Sequence, residues 1–399
     1  LKMGLLAIII FGVVIETVLS KKIKLHPQIF LLFIFFIVLG FLLGVYGLLH
    51  GNLGTFPITK EIVLYVIFYM FLVSAIDNLK SLEYIHKTII FSSFFLCIYL
   101  ILTILNAYGF WPDWLYFNLQ TETSDQSVNT ADFERYGRLS TSFSSFPGLL
   151  FLQPYIFCYA ILNIKKKQKL IWLLLIVMTF IMVIGGRRIL MIISLSFPIL
   201  TLFLIRAFNR KKSKISLNWK LLIIYIFIVI LILYLILQRI GINVQSFIDY
   251  FNYTFEARQI TSSGKLISNV RIETFYYLFD AWLEKPFFGY GSGASHPEFI
   301  RSQSSPWSYE LLYMQFLYSW GIVGCLLYAS GLYFVVRTSI KIYKENSVYG
   351  IYALSATIGM VAFLIGTSTN PYLLKFDLFY VVFIPIAIVN LYLKQKSKL

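Results

Sequence analysis

Two adjacent arginines, Arg187 and Arg188, stand between two apolar runs in the stretch GGRRILMIISLS. One arginine at the centre of a bilayer costs about 2.5–3.5 kcal/mol, so such residues generally line a water-filled cavity or a binding site. A guanidinium pair is also well shaped to grip phosphate oxygens through parallel hydrogen bonds. The pair predicts a phosphate-binding site. The alternative is a plain helical hairpin whose arginines reach out to lipid headgroups.

Arg271 presents a similar case inside a helix predicted over residues 268–285. It shares the apolar face of that helix, while the acidic residues lie opposite. An arginine on an apolar face needs an anionic partner, so we expect Arg271 either to bind substrate or to pair with a loop carboxylate. Pro286 should end the helix, and GYGSG at residues 289–293 is expected to form a flexible turn.

Four further arginines are weaker candidates for the same phosphate-binding role. Arg135 and Arg138 flank an interfacial tyrosine and could equally anchor their loop, and Arg258 and Arg301 stand alone. All four arginines gain weight as candidates because they lie on the same predicted side of the membrane, the side on which positive charge is disfavoured.

Proton transfer needs a base, and this chain offers two candidates. His296 can act near neutral pH, although it could equally be an exposed loop residue before Pro297. Glu310 precedes a long apolar helix, where a carboxylate could instead only stabilise the helix N-terminus. Neither a Walker motif nor a dinucleotide fingerprint is present, and the four histidines and three cysteines show no metal-ligand spacing. We therefore expect no cofactor and no metal.

Composition determines which elements must position these residues. The 399-residue chain is 59% apolar and 13% charged, with a mean hydropathy of +0.78. Soluble domains average about 45–50% apolar and about 25% charged residues. These values exclude a soluble enzyme, a disordered chain and a disulfide scaffold. They predict an all-α polytopic integral membrane protein of about 11–12 transmembrane helices with a large, partly helical extracytoplasmic loop.

The apolar runs and the basic residues together predict a topology. Most of the basic residues fall in short loops, and short basic loops stay in the cytoplasm. The two long connecting segments should therefore face outward. The net charge of +16 then reflects membrane orientation and not a nucleic-acid partner. Apolar runs lie at 3–19, 28–49, 61–76, 88–107, 147–163, 170–185, 189–205, 219–237, 311–336, 348–368 and 377–393. The predicted regions are N-terminal spans (1–107), a first outer loop (108–146), middle spans with the GGRR turn (147–237), a large outer loop (238–310) and C-terminal spans (311–399). The chain begins at Leu1, and an upstream segment is expected to be missing from it.

The order of several short motifs resembles a known family. After the GGRR turn come an N-x-R helix (Asn269, Arg271), the pattern P-x-x-G-x-G (Pro286, Gly289, Gly291) and the pattern G-I-x-G (Gly321, Ile322, Gly324), and RYGRLSTSFSSFPGLL precedes them all. Over residues 130–340 this resembles the O-antigen polymerase and O-antigen ligase superfamily of bacterial envelope glycosyltransferases.

The resemblance implies a GT-C-like membrane fold and metal-independent transfer of glycans from undecaprenyl-diphosphate-linked donors, outside the inner (cytoplasmic) membrane. It implies that Arg187 or Arg188 is the family's turn arginine and Arg271 its loop-helix arginine. Ligases often carry a His-Asn pair before the G-I-x-G glycine, and Glu310 and Leu311 stand there instead. This departure favours the more variable polymerases and leaves Glu310 or His296 as the base.

We therefore expect a polymerase that joins undecaprenyl-diphosphate-linked repeat units into O-antigen or a related surface polysaccharide. Its partners would be the lipid-linked donor and acceptor, membrane lipids and a chain-length regulator. The alternatives are a ligase that transfers the finished glycan to an acceptor, a polysaccharide flippase or transporter, and a structural or signalling membrane protein. A transporter predicts charged, broken helices in both halves of the chain, whereas here the charge concentrates in two outer loops.

Overall fold

A computed structural model describes residues 24–107, 146–163, 169–184, 188–208, 258–260, 266–268, 270–300, 302–345 and 347–398, with single positions at 12, 15, 112 and 227. These residues belong to two compact units. The first unit draws on the ranges 1–82, 256–353 and 367–399, and the second on 83–255 and 354–366. The chain thus leaves the first unit twice, after residues 82 and 353, and returns to it at residues 256 and 367.

The first unit is built around four long helices that pack against one another. They are α1 (Pro27–Leu49), α2 (Thr55–Ala75), α8 (Leu312–Lys344) and α10 (Tyr380–Lys396). The same unit holds the antiparallel strands β1 (Arg258–Ile260) and β2 (Leu266–Ser268), the helix α7 (Val270–Glu284) and short 3-10 turns at Thr367–Thr369, Tyr372–Leu374 and Phe376–Leu378. The helix α7 confirms the helix predicted over 268–285. The strand pair in the large loop was not predicted.

The second unit contains most of α3 (Leu79–Ala107) together with α4 (Leu149–Leu162), α5 (Lys169–Ile184) and α6 (Arg188–Phe208). A short 3-10 turn at Phe146–Gly148 leads into α4. The helix α9 (Gly350–Gly366) enters this unit from residue 354 onward. Every residue of α4 from Leu149 to Ile161 is buried, which explains why its apolar run lacks a polar face.

Nine of the eleven predicted apolar runs coincide with helices, and the runs at 3–19 and 219–237 lie outside the described residues. Among the described helices, six are long and apolar enough to cross a membrane, whereas α4 and α5 are shorter apolar helices. In a bilayer only helices satisfy all backbone groups within one segment. The prediction of an all-α, multi-pass membrane protein is confirmed.

The ends of the helices in the first unit are sorted by charge. At one end Lys24 lies 3.6 Å from Asp77, Lys396 lies 3.5 Å from Glu345, and Lys394 donates to the carbonyl of Lys24. The lysine-rich ends of four helices therefore lie together, as the alternating topology requires. The opposite end carries the α1–α2 turn and the loop that follows α7, and this end holds the candidate site.

Candidate functional site

The long helix α8 is broken at Gly321, where φ is 61° and ψ is −175°. At this break two amide–carbonyl pairs that a regular helix would form between residues four apart are replaced by bonds to the loop after α7. The carbonyls of Tyr318 and Ser319 accept from the amides of residues 290 and 291, at 2.9 and 2.8 Å, and the amides of Ile322 and Val323 donate to the carbonyls of residues 286 and 287, at 2.9 and 3.1 Å. The P-x-x-G-x-G and G-I-x-G motifs are therefore two halves of one joint, which we call the glycine joint (residues 286–293 with 318–323).

Glycine is required in this joint for both conformation and space. Gly289, Gly291 and Gly293 all have positive φ, which L side chains rarely adopt. A Cβ on Gly289 would lie 2.5 Å from the carbonyl oxygen of Tyr318, and one on Gly321 would lie 2.3 Å from that of Phe287. The expectation of a flexible turn at 289–293 is thus wrong, because its backbone is held by hydrogen bonds on both sides.

The second side of the joint is the turn between α1 and α2. Asn52 donates from its amide to the carbonyls of Tyr290 and Ser292, at 2.8 and 3.3 Å, and the Thr55 hydroxyl donates to the Ser292 carbonyl at 2.9 Å. The amide of Gly54 donates to the Gly293 carbonyl. These contacts fix the loop against an early part of the chain.

A small cluster of buried side chains packs α7 against the segments next to the glycine joint. Leu278 of α7 packs with Ala294, Tyr309 and Tyr318, and each of the four is almost fully buried. The Tyr318 hydroxyl donates to the carbonyl of residue 295. The cluster ties three segments of the unit together, so the side chains that surround it are positioned by packing and not only by loop conformation.

Arg271 and Glu310 meet beside this cluster. The Arg271 Nε atom donates to Glu310 Oε2 at 2.7 Å, across 39 positions of sequence. The arginine is 44% exposed and the glutamate 24%. The sequence left substrate binding and an ion pair open for Arg271, and the structure shows the ion pair, with the other candidate residue as its partner. Glu310 does not cap α8, since the N-cap is Leu311 and no side chain bonds there.

His296 lies on the other side of Tyr309. Its backbone amide donates to the Tyr309 hydroxyl at 2.7 Å, and its ring packs edge-on against Tyr277 with centroids 5.3 Å apart. It is buried rather than an exposed loop residue, and burial lowers its pKa from the usual value. Its Nδ1 accepts from the amide of Glu298 at 3.2 Å, so the neutral ring carries its proton on Nε2.

For the remaining candidates the structure describes no side chain. Arg188 begins α6 in the second unit, with its side chain outside the described residues, and Arg258 begins β1, again by backbone only. Four more candidates, Arg135, Arg138, Arg187 and Arg301, lie outside the described residues. Of the predicted site residues, the structure therefore brings together Arg271, Glu310 and His296.

Residues 155–329 match a protein-family model described as O-antigen ligase. This part of the chain is similar to that family, and the match supports the O-antigen polymerase and O-antigen ligase superfamily. No curated protein and no solved structure matches the chain. The family match confirms the resemblance drawn from the motifs and indicates a glycosyl-transfer enzyme of O-antigen ligase or polymerase type.

The range matched by the O-antigen ligase family model runs from the middle of α4 into α8, so it contains the GGRR sequence, the Arg271–Glu310 pair and the whole glycine joint. Asn52 and Thr55, which hold the joint from the other side, lie before it. Within the described residues, no three His, Cys, Asp or Glu side chains converge as a metal site. Metal-independent chemistry stays a prediction for this domain.

Sequence reasoning missed a buried polar group in the second unit. Gln153, nearly fully buried in α4, donates from Nε2 to the hydroxyls of Thr179 on α5 and Ser194 on α6, at 2.8 and 2.9 Å. A glutamine in an otherwise apolar run was the available signal. Asn52 was missed for a different reason, because its role depends on a contact 238 positions away in the sequence.

Proposed function

We propose that this protein is a polymerase of undecaprenyl-diphosphate-linked oligosaccharide repeat units, acting on the outer side of the inner (cytoplasmic) membrane. The observation that carries the proposal is the Arg271–Glu310 pair, 2.7 Å apart beside the glycine joint. The pair combines a fixed cation with a carboxylate at the end of a helix bundle, and the absence of the ligases' His-Asn pair favours polymerisation over ligation.

The reaction needs two kinds of group. An acceptor hydroxyl attacks the anomeric carbon of the donor sugar, the bond to the diphosphate oxygen breaks, and undecaprenyl diphosphate leaves with the bonding electrons. Guanidinium groups stabilise the charge that develops on the leaving diphosphate. A base removes the proton of the hydroxyl. Arg271 is suited to the first task and Glu310 to the second, and Arg187 and Arg188 are also proposed to bind diphosphate.

The exposure of the pair supports a functional role over a structural one. Ion pairs open to solvent stabilise proteins by about 0–1 kcal/mol, so a pair that is 44% and 24% exposed contributes little to the fold. Its removal should therefore affect transfer more than protein abundance.

Between the two candidate bases, the geometry favours Glu310. A base must offer a lone pair, and the Nδ1 lone pair of His296 is already used by the amide of Glu298. The other ring nitrogen then carries a hydrogen and can only donate. We propose that His296 orients a substrate oxygen or its own loop, and that Glu310 takes the proton.

Deletion of the gene, followed by electrophoresis of the surface glycan, tests the function. Loss of the ladder with a single repeat unit still attached supports a polymerase. Accumulation of polymer on undecaprenyl diphosphate would instead indicate the ligase that the family description names. Failure of the lipid-linked repeat to reach the outer face would indicate a flippase.

Single variants in the complemented strain test the residue roles. Arg271→Ala, Arg187→Ala, Arg188→Ala and Glu310→Gln should each abolish the ladder at normal protein abundance. Arg337→Ala is the matched control, since Arg337 is an exposed arginine toward the lysine-rich end of α8. Normal glycan chain length in all three arginine variants would refute the proposed role of these arginines in binding the diphosphate. Full activity of Glu310→Gln would refute the proposal that Glu310 is the base.

A further inference from the structure

The helix α7 has three distinct faces. One face packs inward through Thr274, Leu278 and Ala281, and a narrow second face carries the acidic residues Glu273, Asp280 and Glu284. At 100° per residue, the third face spans about 120° between them. It carries only apolar and aromatic side chains, namely Ile272, Phe275, Tyr276, Phe279, Trp282 and Leu283. We call this third face the aromatic face of α7.

Stacked rings order the aromatic face, and half of its side chains (Phe275, Tyr276 and Leu283) are exposed in the part of the chain that the structure describes. The rings of Phe275 and Phe279 stack with centroids 5.5 Å apart, and those of Phe279 and Trp282 are 5.4 Å apart. Leu283 is 55% exposed, and the face continues past the helix end through Phe287 and Phe288, at 65% and 62%. An apolar patch of this size on a protein surface marks an interaction site.

The glycine joint fixes where the aromatic face lies along the length of α8. The carbonyl of Phe287 accepts from Val323, just beyond the break. The part of α8 after the break has about 23 residues, or about 35 Å, close to the roughly 30 Å of a hydrocarbon core. The last turn of α8 carries Lys341 and Lys344, and the long side chain of Arg337 can reach the headgroups. About 30 Å of helix separates this last turn from the break, so we place the opposite membrane boundary at the break, beside Phe287. The lipid-exposed surface of α8 begins beside it, with Ile322 and Leu326 both exposed.

We propose that the aromatic face of α7, together with Phe287 and Phe288, lies in the headgroup and acyl-chain boundary of the leaflet at the Leu312 end of α8. Its continuity with the exposed apolar surface of α8 identifies the occupant as lipid. Trp and Tyr favour this boundary because their rings are apolar and their polar groups stay hydrated. The acidic face then points to water, as in other interfacial helices. This inference does not depend on the proposed reaction.

The placement has a consequence for the Arg271–Glu310 pair. Arg271 lies on α7 between the inward face and the aromatic face, so it is held at the depth of lipid headgroups. A lipid-linked diphosphate carries its phosphates at that same depth. The aromatic face would therefore set the height at which Arg271 meets phosphate, without contacting phosphate itself.

Spin labelling of the full chain in phosphatidylcholine vesicles tests the placement. In a background with Cys97, Cys158 and Cys325 replaced by alanine, nitroxides are attached at Leu283→Cys and Phe287→Cys. Asp280→Cys on the acidic face is the matched control, and Leu326→Cys provides the lipid reference. Collisions with oxygen report lipid, and collisions with a water-soluble nickel chelate report water. We expect the oxygen-to-nickel ratio at 283 and 287 to match that at 326 and to exceed the ratio at 280 several-fold.

Three results would overturn the proposal. Nickel access at 283 and 287 equal to that at 280 would place the face in water. Protection from both reagents would mean that protein covers it. Nickel access that disappears only when a lipid-linked glycan is added would make it a sugar-stacking surface. Quenching by brominated phosphatidylcholine, compared between the unmodified chain and Trp282→Phe, is an independent measurement, and no quenching attributable to Trp282 would also overturn it.

Discussion

Replacing Gly289 by alanine should weaken the glycine joint far more than the same change at Gly51. Both residues have left-handed backbone, with φ of 66° and 69°. The difference is space, since a Cβ at position 51 meets nothing within 4 Å, whereas one at 289 lies 2.5 Å from the Tyr318 carbonyl oxygen. Comparison of the two variants therefore separates backbone strain from loss of docking.

The magnitudes follow from the contacts. Left-handed backbone costs a non-glycine residue about 1–2 kcal/mol, which is the whole effect expected for Gly51→Ala. In Gly289→Ala the loop must also move away from α8 and lose the bonds from the amides of Tyr290 and Gly291. Two hydrogen bonds at about 0.5–1.5 kcal/mol each add about 1–3 kcal/mol. The total for Gly289→Ala is about 2–5 kcal/mol.

The thiol of Cys325, one turn beyond the break in α8, provides the assay. In a Cys97→Ala, Cys158→Ala background, a thiol-reactive dye reports the exposure of Cys325 as the detergent-solubilised chain is heated at a fixed rate. At about 2–4 °C per kcal/mol, Gly289→Ala should melt several degrees below Gly51→Ala. Equal midpoints for the two variants would refute the argument that the loop is docked by close backbone approach.

Three further predictions use the buried polar contacts. Because burial lowers the pKa of His296, the unfolded chain binds the proton before the folded chain does as the pH falls. The melting temperature should therefore decrease as the pH is lowered below about 6.5 and should level off below the lowered pKa of His296. This part of the pH dependence should be absent in His296→Gln. Tyr309→Phe leaves the His296 amide without its 2.7 Å acceptor and should cost about 1–3 kcal/mol, and an unchanged midpoint would contradict that. Gln153→Ala should lower the midpoint by removing the amide that bridges Thr179 and Ser194, whereas Ser196→Ala, which only loses a bond to its own helix, should not.

The sequence predicted the elements whose signals are local. The bounds of α7 followed from helical periodicity and from Pro286, and the observed helix Val270–Glu284 falls within the predicted 268–285. Long apolar runs likewise predicted most of the membrane helices, because a bilayer requires a fixed number of consecutive apolar residues. The charge pattern predicted which helix ends lie together in the first unit.

Contacts across long sequence separations were not predictable from one sequence. A glycine inside an apolar run does not reveal its φ, so Gly321 was read only as part of a motif and the break in α8 was missed. The glycines at 289–293 were read as flexible, although the same freedom allows a fixed left-handed backbone. Both Arg271 and Glu310 were identified singly, but nothing in their spacing predicted that they pair.

The break in α8 has a consequence for how the chain is assembled in the membrane. The carbonyls of Tyr318 and Ser319 and the amides of Ile322 and Val323 pair with residues 286–291. A buried backbone group left without a partner costs roughly 2–7 kcal/mol. The helix therefore cannot complete its backbone pairing on its own. Synthesis from the N-terminus produces the α1–α2 turn first and the loop second, so the loop, and the turn that holds the loop, leave the ribosome before the helix that needs the loop. The glycine joint therefore requires that the loop be present when α8 enters the membrane, so the folding of this unit depends on the order in which its segments are inserted.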